Sequence, residues 1–112
     1  MPSLLWDLFC RVIDNHGDLG VCARLARDLA DRGQTVRLWV DAPHALGWMV
    51  PRWPPGCTVH DWPSHEWHCG DRVGDVVIEA FGCELPVAVQ IRLAESAPHW
   101  LNLEYLSAEA YT

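Results

Sequence analysis

The chain has 112 residues, enough for one domain with its own core, and half of them are hydrophobic. Its formal charge is -7 and its eight basic residues are all arginine, so a phosphate backbone is mostly repelled and nucleic-acid binding is disfavoured. No stretch approaches the ~20 apolar residues of a membrane span, and the first residues lack a signal-peptide pattern. Five cysteines without CxxC spacing do not indicate a disulfide framework, so we expect a cytoplasmic protein with reduced thiols and no membrane partner.

The first forty residues predict a β-α-β unit. Residues 4–13 are rich in leucine, tryptophan, phenylalanine and valine and, with Asp7 as a polar interruption, predict a mostly buried parallel strand. From Asp18 to Ala30, apolar residues recur at three- and four-residue steps, which is typical of a helix with one buried face, and Gly33 follows as a helix-ending glycine. Residues 35–40 have strand composition, and the crossover between the two strands is expected to be right-handed.

The rest of the chain predicts three more strands and a second helix. The strands cover residues 57–62, 73–80 and 99–105, the helix covers residues 85–95, and a short helical turn is placed at residues 42–48. The order β-α-β-β-β-α-β favours an α/β fold with a Rossmann-like, mostly parallel sheet.

The segment from Ile13 to Gly20, IDNHGDLG, follows the first strand, at the edge where open parallel sheets bind ligands. Asp14 has a structural interpretation as a helix cap, and Asp18 has one as a first-turn acid that complements the helix dipole. A turn that only needed a cap would not also need Asn15, His16 and two glycines. Because the loop lacks GxGxxG and its carboxylates repel phosphate, it suits a guanidinium or ammonium group better than a nucleotide.

Two further strand ends carry polar residues. Glu79 lies near the end of one predicted strand, and Asn102, Glu104 and Tyr105 lie near the end of the last. The carboxyl ends of parallel strands meet at one edge, so these groups are candidates to join the first loop in one crevice. A polar residue that merely closes its strand is an equal alternative for Glu79 and Glu104.

A histidine-rich stretch and many tryptophans have simpler interpretations. The stretch contains His60, His65, His68 and Cys69. Its spacing matches neither a zinc finger nor HExxH, so we expect no metal site there. Tryptophans pack in cores more often than they stack on bases or sugars, and Trp39 and Trp100, both within predicted strands, are expected in the core.

Five segments follow the order of a known family: WDLFCRVIDNHGDLGVC at 6–22, RLARDLADRG at 24–33, VRLWVD at 36–41, GDVVIEAFGCELP at 74–86 and LNLEYLSAE at 101–109. With these segments the chain resembles the amino-terminal part of the elongation factor P arginine rhamnosyltransferases. Ala23 departs from the bulky residue usual in that family, and residues 110–112 do not continue its pattern.

The resemblance implies a two-domain GT-B glycosyltransferase that moves L-rhamnose from dTDP-β-L-rhamnose to an arginine of elongation factor P, with inversion and with neither metal nor cofactor. Residues 1–112 are then expected to be an incomplete amino-terminal, Rossmann-like acceptor-binding domain. By this resemblance the nucleotide-sugar domain is expected to lie outside residues 1–112, so we expect the isolated chain to be inactive.

Carried over from the family's DNHGD motif, Asp18 is the general base, Asp14 helps to hold the acceptor guanidinium, and Asn15 supports that geometry. Glu104 and Tyr105 are further candidate acceptor contacts. The chemistry agrees, because a guanidinium has a pKa above ~12 and needs a carboxylate to polarise it. The alternative is a noncatalytic binding domain that recognises an arginine-bearing protein loop. A nucleotide-binding Rossmann protein is a third reading, which the acidic loop disfavours.

Overall fold

The computed structural model describes residues 3–11, 16–41, 55–63, 67, 72–80 and 85–103, with the side chains of residues 16–19 outside this description. Its elements are β1 (Leu5–Cys10), α1 (His16–Asp31), β2 (Thr35–Val40), β3 (Cys57–Asp61), β4 (Val76–Ala80), α2 (Val87–Ser96) and β5 (His99–Leu103). The predicted order of elements is confirmed, whereas the turn predicted at residues 42–48 lies outside the described residues. Among the residues that the structure describes, no helix is long and apolar enough to cross a membrane.

The five strands form one parallel sheet in the order β3-β2-β1-β4-β5. This order corresponds to the first five strands of a Rossmann fold, in which the chain leaves the centre in one direction and then returns to extend the sheet in the other. The predicted Rossmann-like α/β fold is therefore confirmed. All the strands end at the same edge, which we call the carboxyl edge, and β1 lies in the middle of it.

Alternate residues of the strands face opposite layers, as a pleated sheet requires. On one face, Leu8, Leu38 and Ile78 lie in a buried cluster with the small residues of α1, namely Cys22, Ala23, Ala26 and Ala30. On the other face, Phe9, Trp39 and Val77 lie with Val89 and Leu93 of α2 and with Trp67. The apolar residues that recur along α1 thus form its buried face. Because these residues are small, the helix can approach the sheet closely.

Helix α1 begins at His16, two residues before the predicted start, and ends at Asp31. Gly33 then takes a left-handed φ of 88°, and its N–H donates to the Ala30 carbonyl at 3.0 Å. The N–H of Gln34 donates to the Leu29 carbonyl, also at 3.0 Å. Gly33 therefore ends the helix as predicted, because glycine adopts this conformation without a Cβ penalty.

The structure corrects two expectations from the sequence. Trp100 is 44% exposed instead of buried, because β5 is an edge strand with mainly exposed side chains, whereas Trp39 is buried as predicted. Strand β4 begins at Val76 instead of Val73. The backbone N–H of Gly74 donates to the Asp7 side chain, which takes that residue out of the strand ladder.

Candidate functional site at the carboxyl edge of the sheet

The connection from β1 to α1 places the predicted catalytic turn at the carboxyl edge. Strand β1 ends at Cys10 and α1 begins at His16, so Asp18 is the third residue of the helix. A carboxylate in the first turn is stabilised in its ionised form by the positive end of the helix dipole. Asp14 and Asn15 lie outside the described residues, as does the side chain of Asp18, so the roles assigned to all three stay predictions.

The last strand leads to the same edge. Its final residue, Leu103, precedes Glu104 and Tyr105, which lie outside the described residues. Their predicted acceptor contacts are untested. The parallel sheet does bring the end of β5 to the edge at which β1 ends.

Glu79 lies near the carboxyl end of β4, in register with Phe9 of β1 and Asn102 of β5. Its Oε1 accepts a hydrogen bond from the indole Nε1 of Trp100 at 3.1 Å. The side chain is half-buried, so the contact ties the edge strand to its neighbour. This hydrogen bond gives Glu79 a structural role. Its position near the end of β4 also keeps it a candidate residue of the functional site at the carboxyl edge.

Arg11 brings a positive charge to the start of the β1–α1 connection. Its guanidinium carbon lies 5.3 Å from the centre of the Trp62 ring, within the range of a cation–π contact. The sequence analysis assigned no role to Arg11. The residue that directly follows a strand in this fold lies at the carboxyl edge. The position of Arg11 after the first strand could therefore have marked it as a candidate residue of the site.

A buried ion pair lies in the same sheet, further from the edge. Asp7 of β1 is fully buried, and its two oxygens accept hydrogen bonds from Arg37 Nε at 2.6 Å and Arg37 Nη2 at 2.7 Å. Trp39 Nε1 donates to Asp7 at 2.9 Å, and Gly74 N donates at 2.7 Å. This bidentate pair, with two further donors, satisfies a charge that would otherwise be costly to bury.

The ion pair fixes three separate segments around one carboxylate. Asp7 and Arg37 face each other in the β1–β2 register, and Arg37 Nη2 also donates to the Arg72 carbonyl at 3.0 Å. The Arg37 guanidinium lies 5.7 Å from the centre of the Trp39 ring. The cluster therefore supports the strands that carry the candidate site, although sequence analysis did not identify it.

His60 packs against the indole of Trp39, with ring centres 4.5 Å apart, and its Nε2 lies 2.8 Å from Thr58 Oγ1. Burial, followed by the nearby positive charge of Arg37, lowers the pKa of His60. His65, His68 and Cys69 lie outside the described residues. Within the described part of the chain, no group of three or more metal-ligating side chains occurs.

Three described cysteines, Cys10, Cys22 and Cys57, are buried. Burial raises the pKa of the Cys57 thiol to about 11, so this group stays protonated at neutral pH. A buried, protonated thiol is a poor nucleophile, and Cys57 therefore contributes to packing.

The five-stranded parallel sheet and its helices define the class of the chain as a Rossmann-like α/β fold. The family described as "Elongation-Factor P (EF-P) rhamnosyltransferase EarP" matches residues 6–112, and the chain belongs to this family. The resemblance seen in the sequence is thereby confirmed, and the family is one of glycosyltransferases.

Several curated relatives bear the name protein-arginine rhamnosyltransferase. The relative from Pseudomonas aeruginosa is 49% identical over 117 residues, which cover 95% of this chain and 31% of the relative. Those from Neisseria meningitidis serogroup B and Shewanella oneidensis are 45% and 39% identical, over 96% and 93% of this chain and 30% of each relative. The chain thus spans about 30% of the length of the relatives it matches.

Proposed function

We propose that this chain is the acceptor side of a protein-arginine rhamnosyltransferase, which moves L-rhamnose from dTDP-β-L-rhamnose to an arginine of elongation factor P with inversion. The family match over residues 6–112 carries the proposal. The fold supports it, since the turn between β1 and α1 follows the central strand at the edge where parallel sheets bind ligands.

The chemistry requires two carboxylates with different tasks. A guanidinium loses its proton only above a pH of ~12. One of its nitrogens must therefore be made nucleophilic by the groups of the site. Asp18 accepts the proton from that nitrogen as the carbon–nitrogen bond forms, while Asp14 holds the planar fork and Asn15 supports it. The bond from the anomeric carbon to the diphosphate oxygen breaks, and the nucleoside diphosphate leaves with the electron pair. Attack from the opposite face of the sugar inverts the anomeric carbon.

The position of Asp18 suits the task of a base. A carboxylate in the first turn of a helix is favoured in its ionised form, which is the form that can accept a proton. Glu104 and Tyr105, which follow β5, are additional acceptor contacts in this proposal.

The division of labour also belongs to the proposal. Residues 1–112 supply the acceptor-binding domain of a cytoplasmic GT-B enzyme, and a second domain holds the nucleotide sugar. No metal or other cofactor takes part. In this arrangement residues 1–112 alone do not transfer rhamnose, because the donor is held by the other domain.

The test uses the full-length gene product with dTDP-β-L-rhamnose and elongation factor P, followed by the intact mass of the acceptor. We expect a gain of one deoxyhexose residue, and no gain when the target arginine is replaced by lysine. If the protein binds elongation factor P tightly but transfers no sugar, the noncatalytic alternative replaces this proposal.

The assigned base is tested by Asp18→Asn, which is expected to slow transfer by about 10²–10⁴-fold while the circular dichroism spectrum stays unchanged. Asp31→Asn makes the same chemical change on an exposed residue at the other end of α1 and is expected to keep full activity. Asp18→Asn activity within a few-fold of the parent would rule out Asp18 as the base.

A further inference from the structure

The exposed side chain of Arg11 rests on aromatic rings at the carboxyl edge. Its guanidinium carbon lies 5.3 Å from the centre of the Trp62 ring. Trp62 in turn meets the fully buried Phe9 edge to face, with ring centres 6.0 Å apart, and packs on the buried cluster of the α2 face. A guanidinium at this distance from a ring face is stabilised by a cation–π contact. The support of Arg11 is therefore anchored in the core of the sheet.

This support leaves the N–H groups of Arg11 available for a ligand. A guanidinium that stacks on an aromatic face keeps its five N–H donors for other partners. Among the described residues, the ion pairs of arginine involve Arg32, Arg37 and Arg72, and none of them involves Arg11. The hydrogen bond described at Arg11 involves its backbone carbonyl. In the described part of the chain, the guanidinium is thus a cation held by a ring and not by an anion.

The strand register places this cation beside the predicted catalytic turn. Cys10 pairs with Val40, and Val40 pairs with Asp61, so Arg11 and Trp62 follow in-register ends of β1 and β3. Together the two side chains span the end of β2, which lies between those strands. Because β1 ends one residue earlier, Arg11 also opens the connection that carries the predicted catalytic turn.

We infer that Arg11 binds the diphosphate of the nucleotide-sugar donor, an inference that rests on the proposed function. The turn that supplies Asp14 and Asp18 is acidic, so it repels a diphosphate that approaches the acceptor guanidinium. In the transfer, the bond from the anomeric carbon to the diphosphate oxygen breaks and leaves its electron pair on that oxygen, while the acceptor nitrogen passes a proton to Asp18. The negative charge of the leaving group therefore increases. A guanidinium fork matches a phosphate group and stabilises this charge as it forms.

Carboxylates are poorer partners for Arg11 than the diphosphate. A cation paired with Asp18 would lower the pKa of that carboxylate and so weaken it as a base. An acidic residue of the acceptor protein would keep the same charge throughout the reaction, so its pairing with Arg11 would aid binding alone. The diphosphate is the partner whose negative charge grows during the transfer.

The test measures nucleotide binding by the full-length protein with isothermal titration calorimetry. We expect Arg11→Gln to weaken the binding of dTDP at least about tenfold, because a charge-assisted hydrogen bond is lost. The binding of dTMP, which lacks the second phosphate, should change much less. Arg11→Lys keeps the charge but not the fork, so its affinity for dTDP should fall between those of the parent and Arg11→Gln. Arg27→Gln makes the same change on an exposed arginine of α1 and should bind dTDP like the parent.

Kinetics separate this role from the alternatives. Arg11→Gln should lower kcat for rhamnose transfer about 10²–10³-fold and leave the KM for elongation factor P within a few-fold of the parent. An unchanged dTDP affinity would overturn the inference, whether the KM for the acceptor rises, as for a contact with an acceptor carboxylate, or the pH profile of transfer shifts, as for a contact with Asp18. An equal loss of dTMP affinity would also overturn it.

Failure of the proposed function gives a different result. In that case the parent protein itself neither binds dTDP nor transfers rhamnose. If the parent does both and Arg11→Gln behaves like Arg27→Gln, the inference about Arg11 fails and the proposed function stands.

Discussion

Replacing Asp7 by asparagine should strongly destabilise the protein, because it removes the charge that compensates Arg37. Asp7 is fully buried, and the Arg37 side chain is 14% exposed, so little water can replace the lost carboxylate. Four donors converge on the two carboxylate oxygens. The amide NH₂ of an asparagine is itself a donor, so it would stand opposite other donors and could not accept their hydrogen bonds.

Breaking one partner of a buried pair costs about 3–5 kcal/mol. The lower end applies here, because the Arg37 side chain keeps some solvent contact and a hydrogen bond to the Arg72 carbonyl. We therefore expect the free energy of unfolding to fall by about 3 kcal/mol, which is more than a hundredfold in the unfolding equilibrium. Urea denaturation followed by tryptophan fluorescence measures this change, since the Trp39 indole donates directly to Asp7.

Two further variants separate charge from packing. Asp31→Asn makes the same change on an exposed residue of α1 and should alter stability by no more than about 0.5 kcal/mol. Replacing both partners, Asp7→Leu with Arg37→Met, should recover only part of the loss, because the ion pair is exchanged for apolar side chains but the Trp39 indole and the Gly74 N–H lose their acceptor. The reasoning fails if Asp7→Asn is no more destabilising than Asp31→Asn.

Further changes test other local features by the same urea assay. Gly74→Ala should cost about 1–3 kcal/mol, since its Cβ would lie 2.7 Å from Asp7 Oδ2, and stability equal to the parent would contradict this geometry. Gly33→Ala should cost about 1 kcal/mol of stability, because Gly33 has a φ of 88°. Gly20→Ala should instead stabilise α1 by up to about 1 kcal/mol, because nothing lies within 4 Å of the new Cβ. If both variants changed the free energy of unfolding in the same direction, the argument about the helix end would be refuted. The lowered pKa of His60 means that folding favours its neutral form, so its contribution is present above the unfolded pKa of about 6.5 and is lost as pH falls towards the folded pKa. His60→Gln should remove that part of the pH dependence, and an unchanged slope between about pH 5 and 7 would argue against it.

Much of the fold could be predicted from local sequence patterns. The apolar periodicity located α1, and the strand composition located β2. Gly33 marked the end of α1, and this could be predicted because the end of a helix is decided by residues close together in the sequence. The order of elements then led to a parallel sheet. The same reasoning placed Asp18 in the first turn of α1, while Asp14, Asn15, Glu104 and Tyr105 stay predictions for the candidate site.

Features that depend on strand pairing could not be predicted in this way. Asp7 looked like a polar interruption of an apolar strand, and nothing local showed that Arg37 would face it across the β1–β2 register. Trp100 has the composition of a core residue, but its exposure depends on β5 lying at the sheet edge. Both are decided by neighbours that are distant in sequence.

The Asp7–Arg37 pair also has a consequence for how the strands align during folding. If β2 slipped by one residue against β1, Val36 or Leu38 would stand opposite Asp7, and Arg37 would turn towards the apolar layer beneath α1. Two buried charges would then lose their partners at once, at a cost of several kcal/mol for each ion. Purely apolar strands tolerate such slips far better. The ion pair thus disfavours misaligned sheets and selects a single register between β1 and β2.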